Sequence, residues 1–216
     1  MITFYGLSGQ LYWSAKQSYS HINSKVEDLA PDQPEALSSI ILSFAVIEAF
    51  LNELGELVVS DPEGAPWRSS SINAYGEEWL RLEEDRGSTS QKFRVACDVF
   101  NTGFNRGSPI YQNFSDLCSV RNALMHFRPD KAQVTEAGKV IDVSNVAARL
   151  RSKNILEKES GVFRNWTTRI QNRAAAKWAC NTASECVIGV FKAIPNIPSF
   201  KGVYLNGTEQ AFEPIR

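Results

Sequence analysis

The chain has 216 residues, 43% hydrophobic and 11% aromatic, which supplies apolar side chains for one sizeable core and excludes disorder over most of its length. A formal net charge of −1 argues against a surface coated in cations for nonspecific nucleic-acid binding. The average conceals a division: residues 1–120 carry 8 Lys/Arg against 16 Asp/Glu, whereas residues 121–216 carry 15 against 8. Two readings of the basic half stand open, charges scattered on solvated helix faces and an anion-facing surface.

In chain order, helical periodicity dominates. "MITFYGLSGQLYWSAKQ" lacks a basic leader followed by an apolar run and a cleavage site, so the expected location is the cytoplasm. A first helix is predicted over Ser8–Val26, before the "PDQP" turn, and a longer one over Pro34–Ser60. Its apolar run from Ala36 to Ile47 stops at Glu48, short of the roughly 20 residues of a membrane span, and reads as a core helix with no membrane role. The polar "EEWLRLEEDRG" stops at Gly87; Ser88 and Gln91 then form a capping-box pattern that opens a helix over Thr89–Phe100.

After the "NTGFNRGSP" loop, Ser108 as N-cap with Pro109 at the first helical position opens a helix that runs into "RNALMHFRP". Beyond Pro129, "KVIDV" suits a short strand, Ser144 caps a helix to about Ile155, and a last long helix is expected over Trp166–Ala193. The whole, residues 1–216, is expected to form one all-α domain, with residues 195–216 an extended C-terminal arm. Cysteines 97, 118, 180 and 186 show neither CxxC spacing nor a neighbouring histidine, which points to buried free thiols rather than a zinc site. The sequons at Asn113, Asn165 and Asn206 carry no meaning in a cytoplasmic chain.

Two helices break the core rule. Leu37, Ile41, Leu51 and Val58 share a face with Phe44, and Glu48 falls inside that stripe, about 40° from Phe44 at 100° per residue; Asn52 follows at its edge. In the later helix Ile110, Phe114 and Leu124 share a face with Leu117, and Arg121 falls on it. One opposite charge on each apolar stripe predicts that the stripes face each other with Glu48 bonded to Arg121. Such a buried pair can be no more than a register device. His126 lies about 140° from Arg121 on a regular helix and shares its face with Asn122, unless Pro129 loosens the turn beside it. A histidine at a helix end also serves simply as a dipole partner.

"RNALMHF" resembles the R-x(4-6)-H signature of HEPN domains, the higher-eukaryote and prokaryote nucleotide-binding family, in Arg121, Asn122 and His126. "SFAVIEAFLNEL" is similar to that family's acidic core helix, with Glu48 at its recurring acidic position. The likeness covers residues 34–60 and 109–129 best, the surrounding helices loosely, and the C-terminal tail hardly at all. It implies a HEPN-like helical bundle that dimerises and joins two motifs in a cleft. Many members with an intact motif are metal-independent endoribonucleases of toxin–antitoxin, phage-defence or RNA-processing systems; others are inactive modules that bind a nucleotide or a protein.

The residues suit the first role. RNA carries its own nucleophile in the 2′-OH, so cleavage needs proton transfer and anion stabilisation, with no metal or cofactor. His126 is the expected general base or acid, since histidine titrates near neutrality, and Arg121 the expected phosphate ligand. Asn122 would bond beside His126, with Glu48 and Asn52 in support. Expected partners are RNA, a second copy of the chain, and a separate antitoxin or defence protein. His21 is expected to be a surface or packing residue. Trp166, Trp178, Arg164, Arg169 and Arg173 fit base stacking and phosphate binding, or equally an amphipathic helix with buried tryptophans.

Overall fold

A 26-residue helix, α2 (Glu35–Ser60), organises the molecule. The structure, a computed structural model, describes residues 6–22, 27, 30, 32–60, 69–126, 144–156, 165–195 and 208–216, with the backbone of 132–134 and 140–142. The other helices are α1 (Ser8–His21), α3 (Ser70–Glu84), α4 (Thr89–Val99), α5 (Pro109–Met125), α6 (Asn145–Ser152), α7 (Trp166–Arg169), α8 (Arg173–Ala193) and α9 (Thr208–Ala211). The fold is helical as expected. The described exception is a ribbon of β1 (Ala132–Val134) paired antiparallel with β2 (Val140–Asp142), where "KVIDV" predicts a strand.

α2 packs along α1 and α8 and also meets α3, α4 and α5, which is why it is buried on most sides. By length and hydropathy it would suit a membrane span, but here it is a bundle's core helix. α1 presents Tyr12, Ala15, Tyr19 and then Ile22 inward at helical spacing. Its N-terminus has no side-chain cap of its own; Glu53 of α2 supplies one, accepting from the backbone N–H groups of Leu7 (2.5 Å) and Ser8 (2.8 Å) and from the Ser8 hydroxyl (2.6 Å). The carboxylate satisfies orphan donors and the positive helix end together. On the opposite flank α8 offers small residues, Ala175, Ala176, Ala179, Cys180 and Ala183, all buried, so two helices approach closely.

α3 begins earlier than the polar reading of its sequence implies. Ser69 caps it through Ile72 N–H, and Ile72, Tyr75, Trp79 and Leu82 bury one face. Trp79 lies on Gly55 of α2, where a Cβ would come within 2.1 Å of the indole. α4 opens with the predicted capping box of Ser88 and Gln91.

Three boundaries differ from expectation. α1 ends at His21, and Ile22 is already extended; residues 23–26 lie outside the described residues. α6 stops at Ser152, followed by Asn154 with a left-handed φ of 55°. The expected helix over Trp166–Ala193 is two helices, because Asn172 takes an extended conformation, caps α8 by accepting from Ala175 N–H at 2.8 Å, and donates to the carbonyls of Ile155 and Arg169.

The C-terminal segment is docked. Phe212 is buried with its ring 5.3 Å from Tyr12, the Ser184 hydroxyl donates to its carbonyl at 2.5 Å, and Asn181 bonds both backbone groups of Ile215. The expected arm thus ends in one helical turn, α9, and an irregular stretch held on α1 and α8; residues 196–207 lie outside the described residues.

Candidate functional site

Ser108 and Pro109 start α5 as the sequence predicts, the Ser108 hydroxyl accepting from Tyr111 N–H. Its buried side chains, Phe114, Leu117 and Val120, fix the helix's roll and turn Arg121 toward α2. The helix ends at Met125. His126 is the C-cap, with φ −116° and ψ 44°, its N–H still donating to the Asn122 carbonyl at 2.9 Å. The loosening expected beside His126 is therefore present; Pro129 itself lies outside the described residues.

Arg121 does not pair with Glu48. Its guanidinium lies 4.9 Å from the centroid of the Phe44 ring, one helical turn before Glu48 along α2, and Nη1 donates to Asn122 Oδ1 at 3.0 Å. No carboxylate pairs with it among the described residues. The cause is the roll of α2. Its buried arc runs through Ile40, Ile47, Leu54 and Val58, rotated from the predicted stripe, so Glu48 and Asn52 fall at the rim and face α4.

There the polar notch is filled. Thr89 at the start of α4 donates its hydroxyl to Glu48 Oε1 at 2.8 Å, and Lys92, one turn on, donates to Asn52 Oδ1 at 2.9 Å. Lys92 also pairs with Glu83 and lies 4.3 Å from the centre of the Trp79 ring. Glu48 thereby sits against the positive end of α4. Thr89 and Lys92 were legible as a pair at helical spacing after the Ser88 cap, but nothing in the sequence indicates that they face Glu48 and Asn52.

Cys118 is within electrostatic reach of both charges. Burial pushes its thiol up to about 11, while the Ser90 hydroxyl, 3.6 Å away, and Arg121 pull it down and Glu48 raises it. Both charges therefore reach this thiol without bonding each other.

The outer face of the same helix end is open. Asn122, Met125 and His126 are exposed, Met125 by 54%. The structure thus brings Arg121 and Asn122 into contact and leaves the His126 ring in solvent, with no side-chain hydrogen bond to either among the described residues. Chemically, the motif offers a guanidinium steadied by an aromatic face and an amide, with donors to spare for an anion, beside an accessible imidazole.

The opposite side of α5 holds a network that sequence reading missed. Buried Asp116 pairs with Arg149 and Lys153 at 2.6 Å each, and Lys153 donates to Asn113 at 2.7 Å, tying α6 to α5. Of the aromatic and basic residues near α8, Trp166 and Arg169 are buried and Arg173 lies over the Tyr19 ring, so these three belong to packing. Trp178 lines a surface groove; Arg164 lies outside the described residues. His21 is exposed at the end of α1. Among the described residues no three His, Cys, Asp or Glu side chains gather as a metal site. No protein-family model, characterised protein or solved structure matches the chain.

Proposed function

We propose that this chain is a HEPN-type, metal-independent endoribonuclease of a toxin–antitoxin or phage-defence kind of system, acting as a homodimer in the cytoplasm. The observation that carries the reading is the state of Arg121. A guanidinium locked to Glu48 in the core would be architecture; one resting on Phe44 and Asn122, with no carboxylate partner among the described residues, retains its charge for a phosphate.

Cleavage then proceeds through RNA's own hydroxyl. His126 takes the 2′-OH proton, the 2′ oxygen attacks the adjacent phosphorus, and the bond from phosphorus to the 5′ oxygen breaks. Arg121 stabilises the charge that grows on the non-bridging oxygens. Asn122, its oxygen engaged by Arg121, has its amide N–H groups left to donate to the phosphate. A second proton donor is needed for the leaving oxygen, and His126 of the partner subunit supplies it when two motifs meet. Exposed Met125 beside His126 gives that meeting an apolar contact. The products are a 2′,3′-cyclic phosphate and a 5′-hydroxyl end. Incubating the purified protein with end-labelled RNA in excess chelator tests the reading: cyclic-phosphate ends support it, and cleavage abolished by chelator or leaving 5′-phosphate ends contradicts it.

A further inference from the structure

A groove of about 560 Å³ lies between the start of α5, the segment after α6, and α8; Pro109, Asn113, Lys153, Ala174, Lys177 and Trp178 are among the residues that line it. Its size suits one protruding side chain and its flanks. Elsewhere on the surface, α3 carries Leu80, a large apolar side chain left 50% exposed. We propose that the groove receives the outer face of α3 from a second copy of the chain, Leu80 entering it between Glu77 and Glu84, so that copies join head to tail.

Charge carries the argument furthest. No acidic side chain lines the groove among the described residues, and the carboxylate behind it, Asp116, is shared by two cations, Arg149 and Lys153. Lys177 on α8 adds a cation that no carboxylate meets among the described residues. The groove is left with an excess of positive charge. On α3, Glu77 and Glu84 stand three residues before and four after Leu80 on one helix face, both exposed and without a cation among the described residues. Arg81 beside them is held by Glu78 of the same helix, and Glu83 is taken by Lys92. Two unpaired carboxylates therefore flank the apolar side chain, and the groove offers the opposite sign.

The apolar parts agree with the charged ones. Half-buried Trp178, Ala174 one turn before it on α8, and Pro109 at the start of α5 give the groove an apolar wall. Leu80 leaves water against that wall, with the charges at the rim, which is how protein contacts are commonly built. Asn113, whose Oδ1 accepts from Lys153, keeps its Nδ2 to donate to an arriving carboxylate.

Symmetry then fixes the arrangement. Groove against groove would oppose like charges, and so would α3 against α3, so neither surface suits a two-fold contact with itself. The heterologous pairing is the attractive one, and it repeats at molecular scale the division between acidic residues 1–120 and basic residues 121–216. Each end copy keeps a free groove or a free α3 face, so association continues unless a ring closes. This contact is separate from the meeting of two cleavage motifs at Met125 and His126, and the inference stands without the cleavage reading.

Sedimentation velocity of the full chain at rising concentration and low ionic strength tests it. The average mass is expected to grow with concentration and to fall back when salt screens the charges. Lys177→Glu in one protein, and Leu80→Ser with Glu84→Lys in another, should each weaken that growth about tenfold or more. A mixture of the two proteins should regain it, because each still offers the surface that the other has lost; the recovery also shows that both are folded. The mass of either variant alone, one copy or two, reports on the motif pair, and what the parent adds to it reports on the groove. A parent no heavier than the variants at any concentration overturns the proposal and leaves the groove to a different occupant. Growth that survives in either variant, or a mixture that stays at the variants' own mass, overturns it as well.

Discussion

Arg121 and Glu48 are two opposite charges on neighbouring helices that do not bond. Each has found another neighbour, Phe44 and Asn122 for the arginine and Thr89 for the glutamate. A double-mutant cycle on Glu48→Gln and Arg121→Gln, read by urea denaturation, is therefore expected to give a coupling below about 0.5 kcal/mol. A coupling above about 1.5 kcal/mol would mean that the pair is formed. Glu48→Ala alone should cost about 1 kcal/mol, through the stranded, part-buried Thr89 hydroxyl and the lost interaction with the α4 N-terminus. The polar residues at 48, 52 and 121 were legible as departures from an apolar pattern. Their partners were not: a small rotation of α2 exchanges one facing helix for another, and a wheel drawn from a single helix carries no information about its neighbours' positions.

At the scale of elements, two contacts decide how helices are held around the site. Gly55 lets the Trp79 ring lie directly on α2, and Gly55→Ala places a methyl within 2.1 Å of that ring. The expected loss is about 1–3 kcal/mol in denaturation, with the Trp79 environment altered in fluorescence; an unperturbed variant would show that α3 does not seat there. Asp116 is buried while Arg149 and Lys153 keep part of their surface in water. Asp116→Asn should consequently cost about 1–3 kcal/mol, less than breaking a fully buried pair, and should raise hydrogen exchange in α6 first. Caps made these elements readable, as with Ser88 and Gln91, Ser108 and Pro109, and Ser144, where the signal is local. The break between α7 and α8 was hidden because Asn172 acts through long-range bonds to Ile155 as well as through its cap.

The whole molecule has a buried thiol chemistry with a consequence for its pH response. Burial raises Cys97, Cys118 and Cys180 to about 11, and holds Cys186 well above the ordinary thiol value. In the unfolded chain these thiols ionise near the ordinary cysteine value of about 8.5, so above it the unfolded state binds fewer protons than the native state. Stability is accordingly unaffected by them at neutral pH and falls as pH rises from about 9 toward 11. Urea midpoints at pH 7.5, 9 and 10.5 should decline in that order, and native thiols should resist alkylation at pH 8 until denaturant is added. A flat profile, or rapid modification without denaturant, would contradict the packing around α8. The cysteine positions made burial legible, since they lack ligand spacing. The depth of each was not, because it depends on how α4, α5 and α8 are covered by their neighbours.

The proposed cleavage requires that Arg121 and His126 act as one chemical site. His126 is an exposed helix cap, so His126→Ala should leave thermal unfolding unchanged while removing a proton-transfer group. The direct measurement is the rate of RNA cleavage in chelator by folded His126→Ala protein against the parent chain. A loss of about 10²–10⁴-fold is predicted. An equal rate in both proteins would contradict it.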